Sequence, residues 1–487
     1  MKLQIGGFSI FYILYFVLAI GLSIQLLLDN KTPQSTFAWI LALFLIPYAG
    51  AVIYLMGGLN WRRRKLVKIR PEEVFGERMK DLLAEQALQI QDSYSQIGSD
   101  ISKILTITMK TGNAIVTQNN TLEIYHSGKE KFERLFEDLE SAKDSIHMEY
   151  FIFRDDEMGN RIIDILERKA NDGLEVRFLV DGAGSRPTFT RKGRRRFKKS
   201  KVQFRNFLDP ANIITAWLIN YRMHRKIVVI DGKIAYTGGM NLAAEYITGF
   251  PRFESWRDTH LRFSEGGAVV LLQSVFIADW VNSGGIIDSY GQYIDGHACD
   301  KKTNRLLPVQ ILCSGPDSHW FSIHKLFLTM ISNANTKVMI QSPYFVPDES
   351  IAAAMETAAL SGVEVSLMMT GKADKYVPFW VAHTFFEPLL LAGVKIYLYE
   401  AGFFHVKSLI IDDIMATVGS CNVDQRSFFL DYELNTVMYD QKTAMRLAAQ
   451  FEQDLESCRQ FTLEDYRSIG RLKRFRNSAF RIVAPLL

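Results

Sequence analysis

Cysteine is scarce in this 487-residue chain. The four present, Cys299, Cys313, Cys421 and Cys458, show no CxxC spacing. They suggest neither a disulfide framework nor a zinc site, and a reducing compartment fits. A surplus of either charge is missing too. With 57 basic and 53 acidic residues the net charge is +4, too little for a protein that holds nucleic acid by overall basicity. The most telling absences are local: no charge lies between Lys2 and Asp29, and none between Lys31 and Arg62.

Apolar stretches at 8–28 and 37–55 fill these gaps. Each is long enough to cross a hydrocarbon core of ~30 Å as a helix. Pro47, Gly50, Gly57 and Gly58 punctuate the second, which spanning helices tolerate better than soluble ones. A cleaved signal peptide fits less well, because the first run is longer than a typical signal core, no small-residue cleavage site stands out, and a second span follows at once. The short link 29–35 makes the two spans a hairpin. Behind it comes Arg62-Arg-Arg-Lys65, then Lys68 and Arg70. The positive-inside rule then keeps both ends of the hairpin and the rest of the chain cytoplasmic.

From about Ile115 the pattern alternates between strand and helix. Residues 146–153 read as a strand, and 160–170 carry helical apolar spacing at Ile162, Ile163, Ile165 and Leu166. Gly173 stops that helix and 174–180 form the next strand. Such a βαβ unit calls for a mixed sheet covered by helices. The same unit recurs as strand 338–345, helix 350–360 and strand 362–369, with Gly173-Leu-Glu-Val176 aligned on Gly362-Val-Glu-Val365. The chain reads as a duplication with its seam near 295–307.

A second repeated element carries chemistry. His224, Lys226, Asp231, Gly238 and Asn241 recur at the same offsets as His405, Lys407, Asp412, Gly419 and Asn422. Each lysine leads into an apolar, β-branched run, so His and Lys, two apart, share one face of a strand. Lysine offers a positive point charge and asparagine offers amide donors to phosphoryl oxygens. Histidine attacks phosphorus when neutral, or protonates a leaving oxygen when charged. A double displacement needs both roles, and one copy supplies only one histidine. Two facing copies supply both.

The pattern H-x-K-x-x-x-x-D followed by Gly-[Gly/Ser]-x-Asn is the signature of the phospholipase D superfamily. The chain most resembles its bacterial cardiolipin synthase branch. The matching segments are Asn30-Lys-Thr-Pro-Gln-Ser-Thr-Phe-Ala-Trp39, Ile146-His-Met-Glu-Tyr-Phe-Ile-Phe-Arg-Asp-Asp156 and Asn220-Tyr-Arg-Met-His-Arg-Lys226. Trp256-Arg-Asp258, Ala278-Asp-Trp280, Ser314-Gly-Pro-Asp-Ser318 and Phe345-Val-Pro-Asp-Glu-Ser350 follow. One departure is Cys421, where the family more often has a small apolar residue of similar size; no loss of activity is read into it.

The resemblance implies an α/β fold of two phospholipase D-like repeats, each a mixed sheet flanked by helices, after a two-helix transmembrane hairpin. The division is a hairpin at 1–61, a basic flank and connector at 62–114, and catalytic halves at 115–298 and 299–487. His224, Lys226, Asp231, His405, Lys407 and Asp412 are the implied catalytic residues, although both aspartates end their strands beside a turn, which leaves a structural role open. Asn241 and Asn422 are the expected phosphoryl-binding amides. Each histidine is expected to be held by an acidic residue of its own half, Asp258 in the first and Glu433 in the second, which fixes its tautomer.

The implied activity is transfer of a phosphatidyl group between two phosphatidylglycerol molecules through a phosphatidyl-histidine, with glycerol released. By resemblance His224 is the nucleophile. No metal or other cofactor is implied, since lysines and asparagines neutralise the phosphoryl charge. The expected partners are phosphatidylglycerol and anionic membrane lipids, without nucleic acid, at a bacterial cell membrane crossed more than once. The alternatives are a phospholipase D or phosphatidyltransferase with water or another alcohol as acceptor, a non-catalytic membrane adaptor, and a tethered nuclease. Two complete motifs argue against the adaptor, and the apolar spans against the nuclease.

Other features read more plainly. The seven histidines outside the motifs, His147 among them, are expected to be structural or surface groups. The basic run 191–199 fits a solvated face or a lipid-headgroup contact. The apolar segment 213–219 around Trp217 fits core packing or a membrane-dipping lip, and 471–481 mixes basic and apolar residues as a second interfacial contact would.

Overall fold

The computed structural model describes residues 3–29, 33–58, 67–76, 78–84, 99–209, 220–250, 252–294 and 307–482. The basic flank 62–65, the segment 213–219 and most of the expected seam, 295–306, lie outside these. The chain divides into two compact units, residues 1–66 with 208–221, and residues 67–207 with 222–487.

In the smaller unit, Leu3–Leu28 (α1) is one continuous helix, and its part Ile10–Leu28 is long and apolar enough to cross a membrane. The second apolar stretch, expected as a helix over 37–55, is broken. Pro33–Leu45 (α2) ends before Pro47, and the chain resumes as Ala49–Ile53 (α3) and a wide turn, Tyr54–Gly58. Proline has no N–H to continue the ladder, and its ring crowds the preceding turn. Tyr48 takes the break at φ 62°. Tyr15, Ala19, Leu22, Leu26, Leu43, Ala51 and Tyr54 form this unit's buried cluster, and the Tyr15 hydroxyl donates to the Leu43 carbonyl.

The larger unit holds two sheets with one plan. The first contains Leu122–Tyr125 (β1), Ser145–Tyr150 (β2), Glu175–Asp181 (β3), Gln203–Phe207 (β4), Lys226–Ile230 (β5), Ile234–Gly238 (β6) and His260–Ser264 (β7), in the order β1-β7-β6-β5-β2-β3-β4. The second contains Val309–Ser314 (β8), Lys337–Gln341 (β9), Glu364–Thr370 (β10), Lys395–Tyr399 (β11), Ser408–Ile411 (β12), Met415–Gly419 (β13), Asp431–Met438 (β14) and Cys458–Phe461 (β15). Its order β8-β14-β13-β12-β9-β10-β11 repeats the first strand for strand, with β15 added beyond β11. The pairs β2–β3 and β3–β4 are parallel, as are β9–β10 and β10–β11. This is the duplication legible in the sequence.

Local signals account for the repeated βαβ units. Glu157–Asn171 is capped by Asp156, whose carboxylate accepts from Gly159 N at 2.9 Å. Its counterpart Glu349–Leu360 is capped by Asp348. Gly173 and Gly362 leave these helices at φ 99° and 94°, a left-handed turn that costs glycine little and other residues more. Each repeat has its own core, Ile146, Phe178 and Val228 standing in one and Ile340, Leu367 and Leu409 in the other.

One boundary differs from expectation. The helix Ser99–Gly112 packs on Ser322–Ser332 of the second half. Val116 and Thr117, placed by the sequence in the first half, pair with Gln310 and Val309 at the edge of the second sheet. An open strand edge accepts any extended segment that reaches it, however distant in sequence.

Candidate active site

β5 begins with the motif lysine Lys226 and β12 directly follows Lys407, and each is preceded by a short extension that leaves its own sheet. Arg222 and Met223 pair in parallel with Asp431 and Tyr432 of the other repeat. Phe403 and Phe404 pair in parallel with Trp256 and Arg257. The hydrogen bonds continue one residue further, from His224 N to Tyr432 O at 2.9 Å and from His405 N to Arg257 O at 2.8 Å. Each histidine is thereby laid beside the residue that follows the paired dipeptide of the other repeat, Glu433 after Tyr432 and Asp258 after Arg257.

This corrects the expected pairing within each half. His224 Nδ1 bonds the Glu433 carboxylate at 2.9 and 3.1 Å, and His405 Nδ1 bonds Asp258 Oδ2 at 2.7 Å. The carboxylates come from the opposite repeats because the strand extensions cross over. Both are fully buried, and the histidines nearly so. Among the described residues neither Nε2 has a protein hydrogen-bond partner, so each ring is held by one nitrogen and free at the other.

Lys226 and Lys407 are also buried, and each donates to its own histidine's carbonyl at 2.5 Å, Lys226 to His224 O and Lys407 to His405 O. Burial pushes Lys226 down to about 7 and Lys407 to about 8, against the opposing pull of Glu433 and Asp258. Each histidine feels the charge of both lysines, which places the two motifs in one electrostatic site.

The two sides are not equivalent. Burial and the lysines lower both histidines, His405 to about 4 and His224 well below its ordinary value. The Asp258 carboxylate works against that fall at His405. Glu433 is itself pushed up to about 7 by burial, which weakens it as a partner for an imidazolium. The strand register makes Asp258 and Glu433 equivalent, since Gly238 faces His260 as Gly419 faces Asn435. Their second neighbours differ. The Ser420 hydroxyl donates to Glu433, whereas the matching residue in the first copy is Gly239, where a Cβ would come within 2.1 Å of Asp258 Oδ1. The motif's Gly-Gly and Gly-Ser versions thus each fit one carboxylate.

The remaining predicted residues fall into two groups. Asn241 and Asn422 lie buried just past β6 and β13. Asn241 Oδ1 accepts from Ile152 N at 3.2 Å, and its Nδ2 is 3.3 Å from the Tyr246 hydroxyl, which in turn lies 3.4 Å from His405 Nδ1. Asn422 Nδ2 donates to Asp424 at 3.0 Å.

Asp231 and Asp412 lie just past the far ends of β5 and β12, which favours the structural role left open for them over the catalytic one. Five residues of strand at ~3.3 Å each put Asp231 roughly 16 Å beyond Lys226. Asp231 accepts from the backbone of Lys143, Asp144 and Ser145 at 2.7–2.9 Å. Asp412 does the same for Asn335, Thr336 and Lys337. Both sit at φ 52° and tie the loop entering the neighbouring strand.

Sequence reasoning missed two buried ion pairs behind the reactive face, Arg225 with Asp279 at 2.5 Å and Arg257 with Asp454 at 2.8 Å. The segments Trp256-Arg-Asp258 and Ala278-Asp-Trp280 were their visible trace. Aromatic rings wall the histidines, with Phe151 4.8 Å from His224 and Phe403 5.7 Å from His405. Cys421 is buried in the second core.

His147 serves packing, stacked on Phe276 and bonded to Glu175 and Gln273. The basic run forms the helix Arg191–Lys199. Its Phe197 is buried against Phe178 and Phe204, and its Arg196 pairs with Asp164 and Glu167.

The two buried lysines carry a stability cost with a definite sign. The folded value of Lys226, about 7, lies below its ordinary 10.5. Between these values the unfolded chain binds more protons, so the parent gains stability as pH rises. Lys226→Met should abolish activity yet raise stability by about 1–3 kcal/mol below pH 7, with the gain shrinking toward pH 10.5. Thermal melts of both proteins across that range check this. A variant less stable than the parent at pH 6 would contradict it.

Known proteins match this arrangement. A family profile described as "Cardiolipin synthase, PLD-like domain" matches residues 135–250 and 327–455, one segment in each repeat. A profile described as "Phospholipase D-nuclease N-terminal" matches residues 13–58. The chain is 36% identical to the major cardiolipin synthase ClsA of Bacillus subtilis over 98% of both chains. It is 38% identical to a cardiolipin synthase of Oceanobacillus iheyensis over 97% of this chain and 98% of that one. Among solved structures, a phosphatidylserine synthase of Haemophilus influenzae superposes with a TM-score of 0.59 at 15% identity, covering 79% of this chain and all of that one. The chain belongs to the phospholipase D-like cardiolipin synthases, a family of phosphatidyltransferases.

Proposed function

We propose that this enzyme makes cardiolipin from two molecules of phosphatidylglycerol, with His224 as nucleophile and His405 as general acid and then base. The neutral Nε2 of His224 attacks phosphorus, forming a P–N bond as the P–O bond to glycerol breaks. His405 gives its proton to the departing glycerol oxygen. It then takes a proton from the free glycerol hydroxyl of the second phosphatidylglycerol, whose oxygen attacks phosphorus. The P–N bond breaks, cardiolipin leaves, and both histidines return to their starting forms.

The crossed pairing of His224 with Glu433 and His405 with Asp258, around two buried lysines, carries this reading. The division of roles draws support from the asymmetry: His405 has the carboxylate that favours its charged form, and His224 is held neutral. Lys226 and Lys407 balance the phosphoryl oxygens, and binding an anionic diester in their midst raises their proton affinity and that of His405.

The same reading sets the enzyme in a membrane. α1 crosses it and the broken second stretch, residues 33–58, returns, with Arg62-Arg-Arg-Lys65 on the cytoplasmic side. The expected result with purified enzyme and vesicles of phosphatidylglycerol alone is one cardiolipin and one free glycerol for every two lipids consumed. Product that forms only when a cytidine-diphosphate lipid is added would refute the mechanism, and phosphatidic acid as the main product would make water the acceptor.

A further inference from the structure

The helix Arg471–Arg481 closes the described chain and is built inside out. A surface helix ordinarily turns its apolar stripe to the core. Here Asn477 is the buried residue. Leu472, Phe475 and Ile482 are 82%, 73% and 80% exposed, and Ala479 is exposed with them. At 3.6 residues per turn, positions 472, 475, 479 and 482 fall in a single arc of the helix.

The opposite side docks the helix on Tyr376–Ala392 through two arginines and Phe480. The Arg476 guanidinium lies 4.0 Å from the Trp380 ring and that of Arg481 4.4 Å from Phe385, while Phe480 meets Trp380 at 5.3 Å. Arg474 donates to the carbonyls of Tyr466, Arg467 and Ile469. These bonds hold the helix in the orientation that leaves its apolar arc in water.

Charge narrows what can cover that arc. Residues 471–482 include five basic and no acidic residues, and among the described residues none of the five forms an ion pair. A protein partner with an apolar groove would satisfy the stripe alone. A layer that is apolar in its interior and anionic at its surface satisfies the stripe and its basic flanks together.

We infer that the face Leu472-Phe475-Ala479-Ile482 of this helix lies in the interface of an anionic membrane, with Arg471 and Lys473 at headgroup level, as a contact of the catalytic unit that is separate from the amino-terminal apolar helices. This rests on the membrane-bound reading above and adds a second point of attachment to it. Such a contact would hold the catalytic unit at the lipid surface from which its substrates come.

The test uses the full chain reconstituted in vesicles of phosphatidylcholine with or without phosphatidylserine. A photo-crosslinking benzoylphenylalanine replaces Leu472, Phe475 or, on another face of the helix, Lys473. Vesicle flotation is scored in every sample, and products are identified by intact mass.

The expected result is addition of one phospholipid at 472 and 475, little at 473, and a higher yield with phosphatidylserine present. Protein that floats but gives no lipid adduct at 472 or 475 would overturn the inference and leave the membrane-bound reading standing. So would cross-links to a second copy of the chain, or equal adduct at all three positions. Loss of flotation would instead overturn the membrane-bound reading. The substituted residues are exposed, so a failure to fold is not expected, and an unchanged thermal melt of each variant confirms it.

Discussion

His405→Ala should stop cardiolipin synthesis from phosphatidylglycerol but leave His224 able to accept a phosphatidyl group from a donor whose leaving group needs no proton. A phosphatidyl ester of nitrophenol is such a donor. The variant should lose roughly 10²–10⁴-fold on the natural substrate, the usual worth of a positioned acid–base group. On the activated donor it should release nitrophenol in a burst equal to the enzyme present, because the same histidine is missing when the second alcohol must be deprotonated.

His224→Ala removes the atom that bonds to phosphorus, so it should lose activity on both donors, by roughly 10³-fold or more. Mass spectrometry of protein quenched during the burst locates the adduct. A phosphatidyl group on His405 in the His224→Ala protein would reverse the roles.

The crossed carboxylates give the second large effect, and it separates the observed pairing from the one expected within each half. Asn or Gln in place of a carboxylate keeps the shape but presents the wrong hydrogen-bonding partner to Nδ1, which in the hydrolase triad costs about 10⁴-fold in kcat. Asp258→Asn should behave like a lesion of His405, with a loss of roughly 10²–10⁴-fold on phosphatidylglycerol that the activated donor largely rescues. Glu433→Gln should behave like a lesion of His224 and show no such rescue. Pairing within each half predicts the reverse. Rescue of Glu433→Gln but not of Asp258→Asn would therefore count against the geometry of the crossing strands.

These experiments probe what the sequence did not display. The duplication was legible because its parts are local. Aspartates cap two helices, Gly173 and Gly362 end them, and the spacing of His and Lys puts both on one face of a strand. Pro47 was visible too, but whether a proline kinks or breaks an apolar helix depends on what packs against it; here the chain breaks at Ile46–Tyr48 and resumes as a shorter helix.

Asp231 and Asp412 left two roles open, because regular recurrence marks necessity without saying of what kind. Their necessity is backbone hydrogen bonding to loops that, in the first repeat, lie more than eighty residues away in sequence. The placement of Val116 and Thr117 on the second sheet was equally hidden, since an edge strand bonds through its backbone and leaves no side-chain signature.

What the sequence by itself determined was the chemistry on offer: two phosphate-handling strands on two copies of one α/β plan, preceded by apolar segments without charge. What only the tertiary structure decided was which carboxylate serves which histidine and how the two sides differ. Extensions of two residues each pair across the repeats and carry each histidine past its own acid to the other's. Ser420 and Gly239 then give the two acids different surroundings. Contacts of that kind depend on strand register between distant segments, and no periodicity along the chain encodes register.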